Sequence, residues 1–62
     1  MATDYWREEM PEDVARRVLG DKHFDYIVGQ GAGYCAGKAH GAWMCNNMDA
    51  YGAYRTAERL AA

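Results

Sequence analysis

The chain has 62 residues and a net charge of −2, enough for one small domain with a thin core. Two cysteines are too few for a disulfide scaffold, and no apolar run is long enough to cross a membrane. Acidic residues prevail in the first half, whereas nucleic-acid binding needs clustered lysine and arginine. The first residues also lack the layout of a signal peptide. We therefore expect a single cytoplasmic domain over residues 1–62, without a membrane or direct nucleic-acid partner.

A short first helix is predicted over residues 11–19. Pro11 suits the first helical position, and the two acidic residues that follow it favour the exposed amides of the first turn. Gly20 is a typical helix stop. Because Pro11 disfavours helix at the residue before it, residues 1–10 are expected to be flexible or to form a short helical turn.

A long second helix is predicted over about residues 22–43, with Asp21 as its cap. It contains glycines at a spacing of four, which returns to nearly the same helix face. Each costs about 1 kcal/mol relative to alanine, so we expect close approach of a neighbouring backbone as compensation. A break near residues 29–33 is the alternative. The predicted packing glycines are Gly29, Gly33, Gly37 and Gly41.

A last helix is predicted over about residues 47–60, with Asn46 or Asn47 as its cap. Ala53 and Ala57 repeat the spacing of four, so the two small-residue stripes predict an αα-hairpin with close axes. The expected fold is therefore all-α, a bundle of two or three helices. On this interpretation a leucine at Gly37 would unfold the protein by overpacking.

Residues 24–33 resemble the opening of the dinucleotide-binding fold of flavin-dependent oxidoreductases, an apolar strand that runs into Gly-x-Gly. Tyr34 stands where the third glycine belongs, and residues 34–62 contain no further strand pattern. We therefore expect no nucleotide and no other cofactor.

The residues capable of metal or acid–base chemistry do not form a known pattern. The spacing of His23, Cys35, His40 and Cys45 matches no zinc motif, and the simpler interpretation is two reduced thiols and two ordinary histidines. The chain has no serine, little room for a pocket, and acidic residues that are most simply a solvated face. We expect no metal, no catalytic residue and no enzymatic activity.

The eight aromatic side chains are too many for so thin a core. Large aromatic side chains that cannot be buried in the chain's own core are typical of surfaces that bury them against a partner. Acidic residues beside them would steer the chain towards a basic surface. The candidate partner-binding residues are Tyr5, Trp6, Glu8, Glu9, Glu12, Asp13, Tyr34, Tyr51 and Tyr54.

These features favour a non-enzymatic protein-binding module, a small inhibitor or regulator of a larger, nucleic-acid-binding protein. Accessory inhibitors made by phages and mobile elements, including inhibitors of CRISPR effectors, have a similar build, a likeness of class without a shared motif. One alternative is a self-associating module, a homodimer whose glycine stripe packs on a second copy. A less favoured alternative is DNA or RNA binding through Arg16, Arg17 and Lys22.

Overall fold

The computed structural model describes residues 10–62, and this part of the protein is entirely helical apart from short connections. Its elements are α1 (Glu12–Leu19), α2 (Asp21–Gln30), α3 (Ala32–Met44) and α4 (Met48–Ala61). The predicted all-α fold is confirmed, with one more helix than the largest number expected. None of these helices is long and apolar enough to cross a membrane.

The additional helix arises because the predicted helix over residues 22–43 is broken at Gly31. This glycine has a φ of +109°, which side chains with a Cβ rarely adopt. Gly20, with a φ of +90°, separates α1 from α2 in the same way and is the predicted stop. The alternative of a break near residues 29–33 is therefore correct.

The helix starts differ slightly from expectation. Asp21 is already the first residue of α2, and Gly20 occupies the cap position without a side-chain hydrogen bond, so the predicted cap at Asp21 is wrong. Pro11 likewise precedes α1 rather than opening it. At α4 the prediction holds, because the side chain of Asn47 accepts a hydrogen bond of 3.3 Å from the amide of Ala50.

Helix α4 lies at the centre of the bundle, since it contacts α1, α2 and α3, whereas α1 and α3 do not contact each other. Its most extensive contact is with α3, and these two helices form the predicted hairpin. The buried residues of α4 are Gly52, Ala53, Thr56 and Ala57. Because these side chains are small, the neighbouring helices can approach α4 closely. Ala53 and Ala57 are thus buried at helix contacts, as predicted.

The core that surrounds α4 is small. Its largest fully buried side chains are Phe24 and Ile27 from α2, joined by Cys35 from α3 and Ala15 from α1. Met10, at the start of the described range, packs against this core. The buried hydroxyl of Thr56 donates a hydrogen bond of 2.6 Å to the carbonyl oxygen of Met10, which ties the chain before α1 to the middle of α4.

The prediction that the glycine stripe brings two backbones together within the chain is wrong. All four of its glycines are exposed, and a Cβ added at any of them would meet no atom within 4 Å: Gly29, Gly33, Gly37 and Gly41. Helix α3 buries Cys35 and Ala39 instead, about 180° around the helix from the stripe. The hydrophobic effect selects that face because glycine has no side chain to bury.

We expect Gly37→Ala to stabilise the protein by about 1 kcal/mol, because it lowers the entropy cost of an exposed helical position without a clash. The measurement is the free energy of unfolding from urea titration followed by circular dichroism. Gly31→Ala is the matched control, and it should destabilise by about 1–3 kcal/mol, since alanine is strained at a positive φ. A loss of stability in Gly37→Ala would show that this position is packed after all.

Thr56→Val should lower the free energy of unfolding by about 1–3 kcal/mol, because it leaves the carbonyl of Met10 without its buried donor. Thr56→Ser keeps the hydroxyl and should retain more stability than Thr56→Val. The same urea titration compares the three proteins. Equal stability of the valine and serine variants would contradict a role for this hydrogen bond.

Candidate functional site

The structure does not gather the predicted partner-binding residues onto one surface. Tyr5, Trp6, Glu8 and Glu9 lie outside the described residues, so their predicted role stays a prediction. The described members are divided between an exposed pair at the start of α1, one exposed tyrosine on α3 and a half-buried pair on α4: Glu12, Asp13, Tyr34, Tyr51 and Tyr54.

The two tyrosines of α4 are used within the fold. Tyr54 packs against the core, and its hydroxyl lies 3.4 Å from Nε2 of His23 on α2. The hydroxyl of Tyr51 accepts a hydrogen bond of 2.9 Å from Nη1 of Arg55. Because these rings are half-buried, they offer a partner less area than an exposed ring does.

Acidic residues of α1 and α2 converge on a single guanidinium. Arg16 Nε lies 2.9 Å from Glu12 Oε2, Nη2 lies 2.9 Å from Asp25 Oδ1, and Nη1 lies 3.5 Å from Asp21 Oδ1. These carboxylates, Asp25 first, hold the pKa of Arg16 above its usual range. The guanidinium also lies 4.7 Å from the centroid of the Phe24 ring. The cluster links α1 to α2 and keeps a net negative charge.

This arrangement disfavours nucleic-acid binding through α1. Arg16 faces three carboxylates, and Arg17 Nη2 lies 3.9 Å from Asp13 Oδ2. A phosphate backbone would have to compete with these acids for both arginines, and binding of this kind depends on uncompensated positive charge.

Four large apolar side chains in or beside α3 are exposed. Tyr26 is 56% exposed, Tyr34 40%, Trp43 48% and Met44 66%. The rings of Tyr26 and Tyr34 meet edge to face with centroids 6.2 Å apart. The pair forms an exposed aromatic surface at the junction of α2 and α3.

We define the outer face of α3 as the exposed glycines of this helix and the side chains that border them. Tyr34 and Lys38 lie on one side of the glycines, with Lys38 Nζ 6.0 Å from the centroid of the Tyr34 ring. His40 lies on the other side, and Met44 follows the glycines at the C-terminal end of the same face, as the helical period requires. No acidic residue occurs between Asp25 and Asp49. The outer face of α3 comprises Gly33, Tyr34, Gly37, Lys38, His40, Gly41 and Met44.

Beside this face an open groove of about 360 Å³ follows the seam between α3 and α4, with His40 and Trp43 on one wall and Tyr51, Arg55 and Glu58 on the other. Arg55 Nε lies 3.2 Å from Glu58 Oε1. The groove therefore contains a neutralised ion pair.

The two thiols have different environments, and neither is in a disulfide. The buried thiol of Cys35 donates a hydrogen bond of 3.1 Å to the carbonyl oxygen of Ile27. Burial raises the pKa of Cys35, and the negative charge of Glu58 adds to the shift. Cys45 is exposed in the connection between α3 and α4. Cys35 is thus part of the core, and Cys45 is the accessible thiol.

Residues 24–33, which resemble a strand followed by a glycine loop, form most of α2, the break at Gly31 and the start of α3. The structure therefore lacks the strand on which that resemblance depends. Within residues 10–62, no group of three or more histidine, cysteine or acidic side chains could hold a metal ion.

Comparison with protein-family models, with curated proteins and with solved structures gave no significant match.

Sequence reasoning missed the exposure of Trp43 and the orientation of the glycines. The helical period places Trp43 on the arc that includes Cys35 and Ala39, yet its ring is 48% exposed because it lies in the last turn of α3, near the end of the core. Its position two residues before the connection to α4 was the available signal.

In native protein we expect one thiol per chain, that of Cys45, to react rapidly with Ellman's reagent at pH 8. Cys35 should react only on unfolding, because it is buried and its raised pKa lowers the thiolate fraction. Cys45→Ser should abolish the rapid reaction, whereas Cys35→Ala should preserve it. Two thiols reacting at equal rates in the native protein would contradict the buried position of Cys35.

Proposed function

We propose that the protein is a non-enzymatic protein-binding module whose partner docks on the outer face of α3. The observation that carries this proposal is the exposure of Gly33, Gly37 and Gly41 on one helix face, where a Cβ added at each glycine would have open space within 4 Å. Together they cost the helix roughly 3 kcal/mol relative to alanine, a large share of the stability of a small domain. Contact with a second molecule would offset that cost.

Bare helix backbone suits a partner that approaches closely. Where Cβ atoms are missing, the axis of a second helix can come nearer, which increases dispersion contacts along both backbones. Tyr34 and Met44 border the glycines as exposed apolar side chains. Tyrosine is among the residues that contribute most to protein interfaces, and methionine adapts to irregular surfaces.

Charge supports a division of roles between two surfaces. The outer face of α3 contains Lys38 and no acid, so a partner can bury it without stranding a carboxylate. Glu12 and Asp13 remain exposed at the start of α1, where negative charge would steer association with a basic protein. The candidates of the first nine residues, Tyr5 and Trp6 with Glu8 and Glu9, lie outside the described residues, and their part in this surface stays a prediction.

The role we propose for such a module is that of a small inhibitor or regulator of a larger protein. A module of this size acts most simply by covering a surface that another ligand needs. An acidic module that covers a basic, nucleic-acid-binding surface would compete directly with that nucleic acid.

The test compares capture of a partner from the source cells by parent protein and by Gly37→Leu, each immobilised through a tag. Leucine at this exposed position should leave the fold intact, yet it should weaken capture at least tenfold, because its side chain keeps the partner away from the helix backbone. Gly29→Leu is the matched control, an exposed helical glycine on α2 that lies outside this face. Equal capture by all three proteins would overturn the proposed docking face.

A second variant tests the aromatic contribution. Tyr34→Ala should weaken binding of the captured partner by roughly tenfold or more, as expected for an interface anchor. Thermal unfolding should change little, since Tyr34 is exposed. Tyr51→Phe is the control, because it removes only a hydroxyl that bonds Arg55, and both residues belong to α4 and lie outside the outer face of α3. An unchanged affinity for Tyr34→Ala would remove this residue from the interface.

The exposed glycine face also favours self-association as the second candidate function, with α3 packing on α3 of a second copy. Sedimentation velocity over a hundredfold range of concentration separates the two. A dimer that dissociates on dilution and is lost in Gly37→Leu would support self-association, whereas a monomer at every concentration would exclude it.

A further inference from the structure

We draw no further inference here: the strongest candidate, the open groove between α3 and α4 with His40, Trp43, Tyr51, Arg55 and Glu58 along its walls, carries nothing, because Arg55 and Glu58 neutralise each other on its α4 wall and nothing in the structure shows what covers it.

Discussion

Helices α1, α2 and α3 can all pack against the 14-residue helix α4 only because the buried face of α4 has so little side-chain volume. A glycine, two alanines and a threonine leave room for α1, α2 and α3 to approach from different directions. The threonine contributes a second function, since its hydroxyl bonds the carbonyl of Met10 and positions the chain before α1. Larger residues on this face would separate the helices and open a core that has few large side chains to fill it.

Helices α1 and α2 depend on their contacts with α4 because they are short. Residues 12–30 form two helices of eight and ten residues, separated by Gly20, and helices of that length are marginal in water by themselves. They persist because Ala15, Phe24 and Ile27 are buried against α4 and because Arg16 links the two across the break. The ion pairs of Arg16 are partly exposed, so burial of apolar surface contributes more than these charges do.

The small size of the core also explains why so much of α3 is exposed. Helix α3 has thirteen residues, of which only Cys35 and Ala39 are fully buried, so most of its circumference is available to solvent or to another molecule. The exposed glycines of α3 lower helix stability, and no packing contact within the described chain compensates for that loss. Gly20 and Gly31, in contrast, permit a positive φ. Residues of one type thus have two separate effects in this chain. Those at the breaks determine the fold, whereas those on the outer face of α3 lower helix stability and leave that face without side chains.

Part of this fold can be predicted from the amino-acid sequence alone. The all-α class, the hairpin ending in α4, the stop at Gly20, the cap at Asn47 and the burial of Ala53 and Ala57 follow from local propensity and helical period, which act over a few residues. The periodicity of α3 places Cys35 and Ala39 on a buried arc of small residues, but it also marks the glycine stripe for packing and does not decide between these two faces. That choice needed the positions of α2 and α4, because only packing decides whether Cys35 and Ala39 or Gly37 and Gly41 meet a neighbour. The exposure of Trp43 and the convergence of three carboxylates on Arg16 were decided in the same way, since both depend on where helices end and cross in space.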